Sequence, residues 1–292
     1  MKNRSSKMKE VMWAVLLLAI AMNVGAQKIK IDNGTVMMDK VAVLKVEGKV
    51  GLFKAMNLTY KSMEDQPVLS IREKVFNYFL PTYEPLNFYD ITFHQADQRM
   101  SFVAKGRLIS EKKVSQWLFV EMTPSLLKDN KIDSTTVNAF IKANDANEKI
   151  NRDTLDYIAF EAALRDQLRA NLPRDYSKSV NFLAGKSEGF YGGASTTFNI
   201  YQGDAVIGKV VREIKHATPQ NEVQFTIYKK LATPINERGQ MVDYGVVAFT
   251  EMSGGTKDIT TIQDKKTHRL DYFIGENSYQ QLVQFLIKNS YL

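Results

Sequence analysis

The 292-residue chain has no cysteine and only three histidines, and its longest strongly apolar run is too short to stay in a bilayer. Without cysteine there are no disulfide staples, no thiolate-bound zinc and no lipid-modified N-terminal cysteine, so stability must come from packing. His94, His216 and His268 lie far apart, and none has the i,i+4 spacing that puts two imidazoles on one helix face. A metal site would have to gather imidazoles and carboxylates from remote segments, so the expectation is no metal and no other cofactor.

The net charge of +7 is partly an N-terminal effect. Lys2, Arg4, Lys7 and Lys9, offset by Glu10, contribute three of these charges ahead of an apolar stretch from Val11 to Met22. At about 1.5 Å per helical residue, that stretch reaches roughly 18 Å, against a hydrocarbon core of about 30 Å. A cationic start, a short apolar segment and the small-residue junction Val24-Gly25-Ala26 have the layout of a cleaved export signal. Residues 1–26 are therefore expected to be removed before Gln27, leaving 266 of the 292 residues with a net charge of +4. So mild a charge argues against a nucleic-acid partner, and export does so again. No transmembrane anchor is expected once the signal is gone. The expected location is extracytoplasmic: periplasmic, outer-surface or secreted.

The junction Gly25-Ala26-Gln27, followed by a β-rich opening, resembles the uncharacterised exported proteins of Bacteroidota-type bacteria. That resemblance is confined to the processing junction and general style, and it implies a cell-envelope setting without implying an active site.

The body reads as α+β: two antiparallel β-rich units joined by a helical segment, with a C-terminal helix. The expected division is residues 27–122 for the first β-rich unit, 123–195 for a helical linker region, and 196–292 for the second β-rich unit with its closing helix. Near-alternation starts at Ile29, with Asn33-Gly34 and Asp39-Lys40 as hairpin turns. Further strands are expected at Met56–Tyr60, Val68–Ile71, Phe88–Phe93, Ser101–Ala104, Arg107–Ile109 and Trp117–Glu121. Past Thr123-Pro124 the period lengthens. Ser134 is placed to cap one helix, and Asn151 or Asp153 a second with Leu155, Ile158, Ala162, Arg165 and Leu168 on one side. Asn144 to Asn147 would form the turn between them. From Thr196 the strands resume, with Gly203-Asp204 as a turn, Val223–Tyr228, Val246–Glu251, Ile259–Ile262 and Leu270–Ile274 as strands, and residues 277–289 as a helix that buries Tyr279, Leu282, Val283, Phe285 and Leu286. Val36 to Val41 followed by Asn57 to Lys61 faintly echoes Ala205 to Val210 followed by Phe225 to Lys229, as two homologous β units or two generic strand pairs would.

Chemistry-bearing patterns are thin. Gly185-Lys186-Ser187 ends like a phosphate-binding loop, but position 180 is Val where that loop needs Gly, and the stretch reads instead as a turned crossing into the second β unit. Ser195 lacks the flanking glycines of a nucleophile elbow. Glu73, Glu84, Asp90, Glu121 and Asp243, beside aromatic stretches, are the acids a glycosidase could pair. The doublets Lys112-Lys113, Lys229-Lys230 and Lys265-Lys266 read as solvated strand ends or edge protection. Seven rings between Phe76 and Phe93, broken by Pro81 and Pro85, are too many for one regular strand. Either Phe76 and Phe79 seal the first β unit while the tyrosines reach water, or Tyr78, Tyr83, Phe88 and Tyr89 form an exposed patch for a partner.

The leading functional expectation is a non-catalytic binding or assembly protein of the bacterial envelope, with a partner protein or glycan meeting those rings. The alternatives are a secreted or periplasmic hydrolase of carbohydrate or cell-wall material, and a structural subunit of an envelope complex.

Overall fold

The computed structural model describes residues 28–51, 54–104, 106, 108–127, 131–172, 174–217 and 220–292. The expected export signal, residues 1–26, lies outside them. The chain forms two compact units. The first takes the described residues up to Phe76 together with Leu86–Ile150, and the second takes Asn77–Pro85 with Asn151–Leu292.

The first unit is built on β1 (Ile29–Asp32), β2 (Thr35–Met38), β3 (Val41–Gly51), β4 (Lys54–Lys61), β5 (Pro67–Phe76), β6 (Leu86–Phe93) and β7 (Gln98–Phe102), hydrogen-bonded in chain order as one antiparallel meander. Its tight turns follow from local chemistry. Asn33-Gly34 and Asp39-Lys40 both have two consecutive positive φ angles (46° and 75°, 48° and 73°), the backbone twist that two-residue hairpin loops require.

After the sheet come α1 (Glu111–Gln116), running on into a π-helical turn at Trp117–Glu121, and α2 (Ser134–Asn144). The sequence reading made Trp117–Glu121 a strand. It is helical because Ser110 accepts the Lys113 N–H and starts the turn, after which Val114, Leu118 and Phe119 fall on one buried face. Helix α2 is capped by Asp133 rather than Ser134: the carboxylate takes the Thr136 N–H at 2.8 Å and the Thr136 hydroxyl takes the Asp133 N–H at 3.1 Å. The core joins Leu58, Tyr60, Ile71, Ile91 and Phe93 of the sheet to Val114, Phe119, Val137 and Phe140. Inside it, Tyr60 meets the edge of Phe119 at 5.4 Å and shares a hydrogen bond with the buried Ser115 hydroxyl at 2.9 Å. Burial drives the Tyr60 hydroxyl well above the usual phenol range.

The second unit mirrors this order. Helix α3 (Asn147–Arg169), within which the chain passes from one unit to the other, leads into β8 (Val180–Phe190), β9 (Gly193–Gln202), β10 (Ala205–Lys215), β11 (Glu222–Glu237), β12 (Gln240–Phe249), β13 (Asp258–Thr261) and β14 (Lys266–Arg269), again antiparallel and in chain order. Helix α4 (Tyr279–Lys288) follows and buries Leu282, Val283 and Leu286, largely as its periodicity indicates.

Three sequence expectations fail here. Residues 180–190, assigned to the helical linker, are a full strand of the second sheet, and Leu270–Ile274 yields the last strand to Lys266–Arg269. The expected face of α3 holds only at its C-terminal end: Leu168 is buried and Arg165 half-buried, but Leu155, Ile158 and Ala162 are exposed, while Tyr157, Phe160 and Leu164 are buried. The buried stripe is the more aromatic one, and Leu164 sits so close to β12 that a Cβ on Gly245 would collide with it. The first half of the sequence echo has no structural counterpart, since Val36 to Val41 turns a hairpin corner whereas Ala205 to Val210 runs along one strand; its second half, Asn57 to Lys61 and Phe225 to Lys229, lies in the fourth strand of each sheet, β4 and β11.

Residues Asn77–Pro85 interrupt the first unit between β5 and β6 but belong to the second. Their anchor is Tyr157 on α3, whose hydroxyl accepts the Phe79 and Leu80 N–H groups at 2.8 and 3.2 Å. Tyr78 and Tyr83 lie edge-on to the Tyr157 ring at 4.6 and 4.9 Å, and the Arg238 guanidinium lies over Tyr83 at 3.9 Å. Burial pushes the Tyr157 hydroxyl up to about 12 and raises that of Tyr83 further.

Candidate functional site

The four rings expected to form one exposed patch do not do so. Tyr83 and Tyr89 are buried and Tyr78 and Phe88 are half-buried; Tyr78 and Tyr83 belong to the second unit, whereas Phe88 and Tyr89 belong to the first. Two prolines and a change of unit separate them, which no period in the sequence encodes. Phe79 does not seal the first unit either; it packs edge-on to Phe249 at 6.1 Å in the second.

The other sequence candidates are also dispersed. Glu73 takes the Met56 N–H at 2.9 Å and Asp90 takes the Ser101 hydroxyl at 2.6 Å, so both act as fixed acceptors within the first sheet. His94 bonds Ser70 at 2.8 Å and His216 bonds Asn221 at 3.3 Å. His268 lies within hydrogen-bond distance of the Thr261 and Tyr291 hydroxyls, at 3.1 and 3.2 Å, in a small network closed by Asp264. Thr261 is wholly buried, so its hydroxyl serves the β13–β14 corner. Among the described residues, no group of three or more His, Asp or Glu side chains could hold a metal ion. No described helix is long and apolar enough to cross a membrane.

Two features of the second unit stand out instead. The first is a hairpin. Strand β8 pairs only with β9, so one side of its backbone is an open sheet edge, and from Leu183 to Phe190 every residue is exposed. Leu183 is 59% exposed, and Tyr191 at the tip is fully so. The Gly185-Lys186-Ser187 trio therefore sits in an extended edge strand, not in a turned crossing or a phosphate loop. Its pairing slips between Ala184 and Ser187, which places a bulge at Gly185-Lys186, and Lys186 forms an ion pair with Glu188. A bulge and charges are the usual devices that keep an open edge from indiscriminate pairing.

The second is a cavity of about 310 Å³, lined by Asn171, Leu172, Arg174, Tyr176, Lys229 and residues at the end of α4 and beyond it. Lys229 was expected at a solvated strand end, yet only 6% of it is exposed. It lies in phase with Val223, Phe225, Ile227 and Leu231, the inward residues of β11, so the period-two pattern puts it inside. That phase was readable in the sequence and was hidden by the neighbouring Lys230. The ammonium donates to the Leu168 carbonyl at 2.7 Å, in the last turn of α3, where the helix dipole favours a cation. Burial, with Arg174 nearby, nevertheless holds its pKa below the ordinary lysine value. The Arg174 Nη2 donates to the Leu292 main-chain oxygen at 2.7 Å, the guanidinium lies 4.5 Å from the Tyr176 ring centre, and its Nε–H is buried without a partner.

No family model, curated protein or solved structure matches the chain.

Proposed function

We propose that this chain is an exported, non-catalytic binding or assembly protein of a bacterial cell envelope, and that it meets a partner protein through the β8–β9 hairpin. The observation that carries the reading is the exposure of β8 on both faces along eight residues, ending in Phe190-Tyr191. An edge strand that buries almost none of its side chains gains little from the core. Large apolar side chains at its tip gain more by insertion into a partner, where aromatic rings bring contact area at low rotamer cost. The open edge adds main-chain donors and acceptors that an incoming strand can satisfy. Export supports an envelope setting, through the cationic start, the brief apolar segment and the Val24-Gly25-Ala26 junction.

The test uses cells that naturally make the protein. A photo-crosslinking residue at Tyr191 is expected to give one discrete adduct in the envelope fraction, on a chain whose N-terminus is Gln27. The same probe at Phe273, another exposed ring of the second unit, should give none. Phe190→Ser should remove the Tyr191 adduct while expression is retained. Equal labelling at both positions, or protein retained in the cytosol with Met1 still attached, would count against the reading.

A further inference from the structure

We propose that the cavity between the loop after α3, the centre of β11 and the end of α4 binds a small amphiphilic carboxylate. Nothing in the proposed partner contact at the hairpin requires such a site, and the two stand on different residues.

The cavity has the volume of the smaller small-molecule sites, which span about 300–1,000 Å³. Its lining is divided. Leu172, Ile287 and Leu292 form an apolar wall, while Lys229 and Arg174 bring two cations to the other side, with no acidic side chain among the lining residues. Placing two like charges in a desolvated space is unfavourable unless something offsets it. The Leu168 carbonyl and the carboxyl group of Leu292, the last residue of the sequence, offset part of this and leave about one positive charge over. Lys229 has three donor protons and uses one on Leu168, and the Arg174 Nε–H has no acceptor. Two charge-assisted ammonium donors thus remain for one incoming group, beside a guanidinium whose sealed Nε–H still lacks an acceptor.

A carboxylate fits this inventory. It carries about four lone-pair positions on two oxygens, accepts from a guanidinium edge and an ammonium together, and neutralises most of the excess charge. The apolar wall calls for a short hydrocarbon portion beyond the carboxylate, which inorganic phosphate lacks. The cations are held in place for the task. The Arg174 guanidinium lies over Tyr176, and Gln202 ties that loop by donating to the Tyr176 and Lys178 carbonyls at 3.4 and 3.1 Å. Lys229 is fixed by its place in the centre of the sheet and by the end of α3.

The probe is hexanoate, titrated into the mature chain with methyl resonances of Leu172 and Ile287 as the readout, beside hexanamide and inorganic phosphate. Hexanoate is expected to shift those resonances saturably, with hexanamide weaker by about tenfold or more, because it loses the charge of the acceptor. Lys229→Met and Arg174→Gln should each weaken hexanoate by about tenfold or more. In both variants, unchanged methyl resonances of Ile227 and Val246 report that the sheet is intact. If Lys229→Met unfolds the unit, Arg174→Gln alone decides. The proposal is overturned by equal affinity for acid and amide, by tighter binding of phosphate than of hexanoate, by no saturable shift at all, or by hexanoate binding that an intact variant leaves unchanged.

Discussion

The two units share a plan and differ in what they leave unfinished. Each lays seven antiparallel strands in chain order and follows them with a helix that buries apolar side chains. In the first unit the edges are the short strands β1 and β7, of four and five residues, and the polar pair inside the core, Tyr60 and Ser115, satisfies itself. In the second, one edge is the eleven-residue β8, exposed along most of its length, and the polar group inside is a cation with donors to spare. Short edges and closed polar pairs are how a sheet is made inert. This contrast is the reason both proposed contacts fall in the second unit.

The contrast can be broken most severely from the first unit. Phe119→Ala removes a fully buried ring at the centre of that core and should cost about 3–5 kcal/mol, measured by chemical denaturation. Gly245→Val attacks the second unit by forcing β12 and Leu164 apart, with an expected loss of about 1–3 kcal/mol in the same measurement.

Removing the buried polar group sharpens the comparison, because the sign should differ between units. Tyr60→Phe leaves Ser115 without its partner and should destabilise by about 1 kcal/mol. Lys229→Met removes a desolvated charge beside Arg174 and should stabilise the second unit by about 1 kcal/mol at neutral pH. The pH dependence follows from the lowered Lys229 pKa. Below that value the lysine is charged in both states and the folded state bears the full cost. Between it and about 10.4 the unfolded chain binds the extra proton, so wild-type stability rises with pH. The advantage of Lys229→Met should therefore shrink across that window, as read by denaturation at a series of pH values.

The smallest effect belongs to the hairpin tip. Phe190→Ser should change stability by no more than about 1 kcal/mol, since the ring is 47% exposed at the sheet edge, while abolishing the Tyr191 adduct.

Much of the architecture could be read from the chain alone. Asn33-Gly34 and Asp39-Lys40 turn where their chemistry demands, β4, β5, β6 and β13 lie where alternation put them, and the apolar side of α4 follows its period. What escaped has physical causes. Trp117 to Val120 is continuously apolar, and such a run is compatible with either a strand or a buried helix until its neighbours decide. Strand β8 is glycine-rich and buries almost nothing, so it leaves no alternation to detect. On α3 two stripes compete, Leu155-Ile158-Ala162 and Tyr157-Phe160-Leu164, which converge on Leu168, and only packing chooses between them. The cavity was legible in one respect, the phase of Lys229; Arg174 carried no local signal, because its role depends on where the loop after α3 comes to rest.

The excursion at Asn77–Pro85 has a consequence for how the chain can be divided. Because this loop of the first meander is assigned to the second unit, the polypeptide passes between units three times: after Phe76, after Pro85 and after Ile150. No single cut can release either body whole. A fragment ending at Ile150 would carry Tyr78 and Tyr83 away from Tyr157, and a fragment starting at Asn151 would lack the main-chain groups that Tyr157 binds. During synthesis the β5–β6 connection must likewise wait for α3 to emerge before it can settle, which couples completion of the early half to arrival of the late one.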